Sequence, residues 1–185
     1  MCKRRNNEDW DSLLHLLGTD KECNLFEHIH GDKDIEELTA AVIRCSAESC
    51  RYATRIDEMA DSSLLNALLA LLYHYMPYKY QNLPNVMRML KVGLEETSPC
   101  STSEESLKEF ICRLTGKKPI SEQCSLDDIF AEIEKTEPES FAVSQYKSFK
   151  IAAKRYTFLS CANRLQALDP TLEKLSVREF CGEQD

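Results

Sequence analysis

The chain of 185 residues is long enough for one domain with its own buried core. Its composition, 43% apolar and 29% charged, is that of a soluble globular protein. The net charge of −8 disfavours DNA as the main ligand, because a surface that grips phosphates usually carries a basic excess. No apolar stretch approaches the length of a membrane span, and no apolar segment follows the basic start MCKRRNNEDW, which excludes a signal peptide.

In chain order, the pattern of apolar residues predicts helices and no strand. The predicted helices cover 8–17, 34–49, 56–76, 83–92, 104–115, 126–135, 138–169 and 171–180. Asp32 or Asp34 is expected to cap the second helix, and Ser125 with Asp128 forms a capping-box pattern before the sixth. Gly93 is expected to end the fourth helix.

The helix at 56–76 contains SLLNALLALLYHYM, which is apolar nearly all round and therefore predicts a buried central helix. Residues 95–124 begin with EETSPCSTSE, and we expect them to form a mobile linker. We divide the chain into an N-terminal helix with its entry loop at 1–23 and an all-α domain at 24–185.

The segment 138–169 has no Gly and no Pro after its first residue, so it predicts one long helix. At 100° per residue, one apolar stripe runs through Tyr146, Phe149 and Tyr156, and a second runs through Ile151, Phe158 and Leu165. A helix with two apolar sides is usually enclosed by neighbouring helices. The predicted fold is therefore an all-α compact bundle of about seven or eight helices with one long central helix.

Basic side chains cluster between these two stripes. They are Lys147, Lys150 and Lys154, followed by Arg155. One interpretation is a solvated face whose lysine stems cover apolar neighbours. The other is a contact strip for an acidic partner or for DNA, and these four residues are our candidate contact site.

Sequence signals of catalysis and of cofactor binding are missing. The chain has no GxxxxGK[ST], GxGxxG, GxSxG or HExxH pattern. Its nine cysteines form no CxxC pair, so reduced structural cysteines in a reducing cytoplasm are favoured over a disulfide framework or a metal site. His28 and His30 are a weak metal candidate. We therefore predict no enzyme activity, no catalytic residue, no cofactor and no metal.

Several stretches in order resemble one family. DSSLLNALLALLYHYMP and QNLPNVMRMLKVG are similar to a buried helix and its successor in the all-α domain of conjugative coupling proteins, the TraG/TraD-like ATPases of type IV secretion systems, especially those of Gram-positive integrative elements. NLFEHIHGDKDIEELTAAVI resembles the entry into that domain. SLDDIFAEIEKTEPESFAVSQYKSFKIAAKRYTFLSCANRLQALD resembles its short helix, Glu/Asp-Pro break and long helix with YK-x-F-K-x-AA. The resemblance covers about residues 24–180.

The chain departs from this family at three places. The family often carries Gly-Lys-Thr where Lys154, Arg155 and Tyr156 stand here, so only the basic character of Arg155 carries over. An aromatic-Glu-Lys stretch before the buried helix is missing, and 95–124 is richer in cysteine and serine.

The resemblance implies a substrate-recognition domain inserted in a RecA-like motor. The Walker motifs and the membrane anchor of such a protein lie outside this domain, so the fragment would make no membrane contact and would lie in the cytoplasm, at the inner face of the cell membrane. Its implied partners are the relaxase or relaxosome accessory proteins, with DNA as a further ligand that the net charge disfavours. The alternative is a stand-alone helical regulator that binds proteins or DNA.

Overall fold

The computed structural model describes residues 10–17, 23–46, 54–96, 125–152 and 155–172. These ranges hold seven α-helices, short 3-10 helices at Leu25–His28 and Tyr78–Tyr80, and no strand, so the predicted all-α fold class is confirmed. The α-helices are α1 (Trp10–Leu17), α2 (Asp32–Ser46), α3 (Arg55–Tyr75), α4 (Leu83–Glu96), α5 (Leu126–Thr136), α6 (Phe141–Ala152) and α7 (Arg155–Leu168). The predicted helix 104–115, nearly all of the 95–124 linker and most of the predicted helix 171–180 lie outside the described residues.

The long central helix of the bundle is α3. A capping box between Thr54 and Asp57 begins it, and every residue from 64 to 72 is buried. It packs most extensively against α6 and also contacts α2, α7 and α4. The prediction of a buried central helix at 56–76 is confirmed, because leucines on all sides of a helix need neighbours on all sides.

Two predicted helix boundaries are wrong. Gly93 lies inside α4, which continues to Glu96. A Cβ atom at Gly93 would overlap the ring of Phe158, so this glycine permits close packing rather than ending the helix. Pro138 lies in a turn, and α6 begins three residues later at Phe141.

The predicted helix 138–169 is divided into α6 and α7. The ring centroids of Phe149 and Phe158 lie 5.3 Å apart, edge to face at 80°. On one straight helix, residues nine positions apart are about 13.5 Å apart along the axis and point to opposite sides, so their rings would not touch. Helices α6 and α7 are therefore not collinear, and the prediction of one long helix here is wrong.

The absence of a common helix axis also separates the two predicted apolar stripes. Tyr146 and Phe149 on α6 are buried, whereas Tyr156, which was predicted to continue their stripe, is 72% exposed. In the second stripe, Phe158 is buried but Ile151 is 90% exposed. A helical wheel extended across the junction assigns faces that the two helices do not share.

A buried ion pair joins α3 to α7. Arg164 Nε donates to Asp61 Oδ2 at 2.7 Å, and both side chains are 1% exposed. The hydroxyl of Ser160 donates to the same oxygen at 2.6 Å. The Arg164 guanidinium also donates to Ser46 Oγ at 3.2 Å, at the end of α2. One charged pair therefore connects α2, α3 and α7.

The second carboxylate oxygen of this pair, Asp61 Oδ1, has no hydrogen-bond partner within the described part of the chain. Burial raises the pKa of Asp61 above its ordinary value, against the opposing effects of the Ser160 hydroxyl and the Arg164 guanidinium. Loss of hydration offsets much of the attraction in such a pair, so its net stabilisation is small even though breaking it is costly.

We predict that single replacements at the buried pair are far more harmful than the double replacement. Asp61→Leu or Arg164→Met leaves one buried charge without its partner and should lower the free energy of unfolding by about 3–5 kcal/mol. The double variant removes both charges and should recover most of that loss. Urea denaturation of the four proteins measures this, and a double variant no more stable than the worse single one would contradict it.

Gly93→Ala should destabilise the protein although alanine favours helices. The propensity gain of about 1 kcal/mol is opposed by overlap with the Phe158 ring, and overpacking costs about 1–3 kcal/mol. The added Phe158→Leu replacement should reduce the effect of Gly93→Ala, because it removes the atoms that clash. Thermal unfolding measures the effect of Gly93→Ala in the parent and again in the Phe158→Leu protein. A Gly93→Ala protein more stable than the parent would refute the packing argument.

Candidate functional site

Helix α5 is amphipathic and presents a charged outer face. The predicted capping box is present, with Ser125 Oγ accepting from the Asp128 N–H and the Asp128 carboxylate accepting from the Ser125 N–H. Leu126 and Phe130 are buried, while the acidic side chains of α5 are exposed. Within the described ranges α5 packs chiefly against α6, so its outer face stays uncovered.

An aromatic stack fixes α5 against α6. The rings of Phe130 and Tyr146 lie 3.8 Å apart and nearly parallel, at 9°. The Tyr146 hydroxyl donates to Asp127 Oδ1 at 2.8 Å. Burial, and then the Asp127 carboxylate, raise the pKa of Tyr146, so its hydroxyl stays protonated and remains a donor at neutral pH. The stack holds the two helices at a fixed separation.

Two of the four predicted contact residues lie together beside this stack. Lys147 Nζ is 2.6 Å from Glu134 Oε1, and Lys150 Nζ is 2.9 Å from Asp127 Oδ2. All four of these side chains are about half exposed. Both lysines therefore point toward carboxylates of α5 and do not form an unpaired basic strip.

The other two predicted contact residues are not brought into this site by the described structure. Lys154 lies outside the described residues. Arg155 is the first residue of α7, and its side chain lies outside the described part.

A shallow cleft of about 220 Å³ opens between α5 and α6. Apolar side chains of Phe130, Ala131 and Val143 line it together with Tyr146 and the residues of the two ion pairs. Small-molecule sites usually measure about 300–1,000 Å³ and enclose their ligand. The size and openness of the cleft fit one or two protruding side chains of a larger partner.

Sequence reasoning missed the acidic half of this site. Asp127 and Glu134 were not among the predicted contact residues. These two residues are seven positions apart on α5, which places them on one helical face two turns apart. Lys147 and Lys150, three positions apart, share a face of α6. Opposite charges on one face of each helix were the signal that could have paired them.

The surface formed by α5 and α6, which we call the α5–α6 face, is acidic overall. Helices α5 and α6 carry four carboxylates and three lysines, and Glu137 and Glu139 between the two helices add two more carboxylates. The third lysine, Lys135, is also paired, with Glu132 Oε2 at 2.7 Å. Lys150 and the Tyr146 hydroxyl hold the pKa of Asp127 below its ordinary value, although burial acts in the opposite direction. The lysines are thus neutralised locally, and the excess charge of the face is negative.

Glu96, the last residue of α4, adds a carboxylate at the start of α5. It accepts the backbone N–H of Leu126 at 3.1 Å. Burial of the carboxyl group, with repulsion from Asp127 and Asp128, raises its pKa to about 7, although the Leu126 N–H and Lys150 oppose the shift. The side chain as a whole is exposed, so it is the carboxyl end, held against α5, that experiences this environment.

Other possible sites are weaker. Among the described residues, no group of three or more His, Cys, Asp or Glu side chains is arranged to hold a metal ion, and His28 and His30 belong to no such group. The described cysteines, Cys23, Cys45 and Cys161, are thiols. None of the described helices combines the length and the apolar character needed to cross a bilayer.

The raised pKa of Glu96 predicts a pH-dependent stability. A carboxyl group that binds its proton more tightly in the folded state stabilises the fold at low pH, and this contribution is lost as pH rises through about 7. Glu96→Gln should therefore lose less stability than the parent between about pH 5 and about pH 8. Urea denaturation at both values measures it. Glu139→Gln, which removes an exposed carboxylate elsewhere, is the charge control, and equal slopes for Glu96→Gln and the parent would rule out the effect.

Comparison with known proteins leaves the chain without a match: no family model, no curated protein and no solved structure is significantly similar to it.

Proposed function

We propose that this chain is a protein-docking domain, the substrate-recognition domain of a conjugative coupling protein of a type IV secretion system. Its partner is a relaxase or a relaxosome accessory protein. The observation that carries the proposal is the ordered resemblance over about residues 24–180, within which the described elements are all helical. Helices α3 and α4 coincide with DSSLLNALLALLYHYMP and QNLPNVMRMLKVG. Helices α5 to α7 lie within the stretch 125–169, for which the resemblance implies one short and one long helix.

Electrostatics favours a protein partner over DNA. Phosphate binding gains its affinity from lysines and arginines that displace counterions from the nucleic acid. Here Lys147 and Lys150 are already paired with carboxylates, and the whole chain carries a charge of −8. A nucleic acid would meet net repulsion at this face, whereas a protein segment with complementary charge would not.

In this proposal the chain recognises cargo and does no chemistry of its own. ATP hydrolysis would belong to a RecA-like motor carried by other parts of the coupling protein, at the cytoplasmic side of the membrane. A stand-alone helical regulator that binds a protein partner is the second candidate. The exposed acidic α5–α6 face serves that role equally well, so the identity of the bound protein separates the two.

The test is capture of the relaxase encoded in the same genetic element by the purified full chain. Circular dichroism and a cooperative thermal transition first establish that the chain is folded. Binding of the relaxase supports the proposal, and a folded chain that binds neither relaxase nor accessory proteins refutes it. A duplex oligonucleotide measured in parallel covers the DNA-binding alternative: DNA affinity that falls steeply with salt and is lost in Lys147→Ala/Lys150→Ala would favour that alternative instead.

A further inference from the structure

We propose that the α5–α6 face binds a basic amphipathic helix of the partner protein, with one apolar side chain of that helix in the cleft and its lysines or arginines against the carboxylates of α5. This inference rests on the proposed docking function and specifies which surface and which partner chemistry it uses. Three features of the face support it: the apolar cleft, the charge around the cleft, and the two rows of side chains on the outside of α5.

The cleft provides an anchor point. It is lined largely by apolar groups, and the smallest of these, Ala131, is exposed at the outer side of α5. Phe130 and Tyr146, which both line the cleft, are stacked on each other with their ring centroids 3.8 Å apart. An apolar side chain placed there would be removed from water while charged residues surround it, which is the usual arrangement of an interface anchor.

The excess of carboxylates on the outer side of α5 selects a basic partner, whereas the charged residues that line the cleft itself are two carboxylates and two lysines. Each lysine of the α5–α6 face is paired with one carboxylate of α5, through Lys147–Glu134, Lys150–Asp127 and Lys135–Glu132. Exposed pairs of this kind contribute only about 0–1 kcal/mol, so a cation of the partner can share or replace a lysine at little cost. An acidic partner finds no comparable opening, because the face as a whole has more carboxylates than lysines.

Side chains on the outer surface of α5 recur every three or four residues, which is the spacing that a bound helix can contact. Asp127, Ala131 and Glu134 form the row beside the cleft, and Asp128, Glu132 and Lys135 form the next row around the helix. Four carboxylates thus flank one small residue over two turns. A helix laid along α5 would meet this pattern with an apolar residue at the centre and basic residues about one turn to either side.

The experiment measures binding of fluorescent synthetic peptides to the full chain by anisotropy. The probe is an amphipathic helical peptide with leucines on one face and lysines on the other, and the comparison peptide has glutamates in place of the lysines. Binding of the basic peptide should be at least about tenfold tighter than binding of the acidic one and should weaken with salt. Equal binding of the two peptides, no binding of the basic one, or tighter binding of duplex DNA would overturn the proposal.

Three variants test whether the peptide binds on the α5–α6 face. Glu132→Lys/Glu134→Lys should weaken binding of the basic peptide by about tenfold or more. Ala131→Trp, which fills the mouth of the cleft from an exposed position, should weaken it by a similar factor. Glu36→Lys/Glu37→Lys makes the same charge change on the exposed side of α2 and should leave affinity within about threefold of the parent, since exposed charges beyond the screening length act weakly. Equal loss in this control would show unspecific attraction and overturn the proposal.

Lys147→Ala should change the affinity for the basic peptide in the opposite direction. It frees Glu134 for the peptide, so the basic peptide should bind more tightly, by about two- to fivefold. A contact strip of lysines for an acidic partner predicts instead that Lys147→Ala weakens binding of the acidic peptide. That outcome, or weaker binding of the basic peptide, would overturn the proposal. Relaxase capture separates this inference from the function: capture that survives Glu132→Lys/Glu134→Lys refutes only the assigned face, and absence of capture by a chain that binds the peptide refutes only the coupling-protein function.

Discussion

The buried Asp61–Arg164 pair constrains how three helices of the bundle are positioned, although its net contribution to stability is small. It joins α3 to α7, and through Ser46 it also joins both to α2. Apolar surfaces tolerate small shifts in helix register, but a charge pair that is 1% exposed does not, because any shift leaves an ion without its partner. Since the pair fixes α7 beside the first half of α3, α7 cannot continue the line of α6.

The helices that could be predicted from the sequence are those with local signals. The apolar run of α3 and the Ser125–Asp128 capping box depend only on residues that are close in the sequence, and both predictions are confirmed. The separation of α6 from α7 has no such signal, because the chain between Ala152 and Arg155 has neither Gly nor Pro. At Gly93 the sequence carries a signal that the structure does not follow. Glycine often ends a helix, but here it lies inside α4 and leaves room for the ring of Phe158. Both outcomes follow from tertiary contacts that a helical wheel does not contain.

From the sequence it could be predicted that Lys147 and Lys150 lie side by side, but not that the surface around them is acidic. The spacing of Lys147 and Lys150 placed them on one face, and they do lie together. Their pairing with α5 depends on how α5 folds back on α6, and the turn around Pro138 together with the Phe130–Tyr146 stack sets that arrangement. A strip that is basic in the sequence therefore becomes part of an acidic face in the fold.

The peripheral position of α5 has a consequence for the energetics of recognition. Within the described chain it packs chiefly on α6 and buries only Leu126 and Phe130 fully, whereas α3 is buried at every residue from 64 to 72. Separating α5 from the bundle exposes little apolar area, so its backbone amides should exchange with solvent through a local opening, while those of α3 exchange only on global unfolding. A ligand that covers α5 would slow exchange through the local opening. Exchange in α3 would slow only as far as binding raises the free energy of global unfolding. Occupancy of this surface could therefore be followed at single amides of α5 without any change in the core.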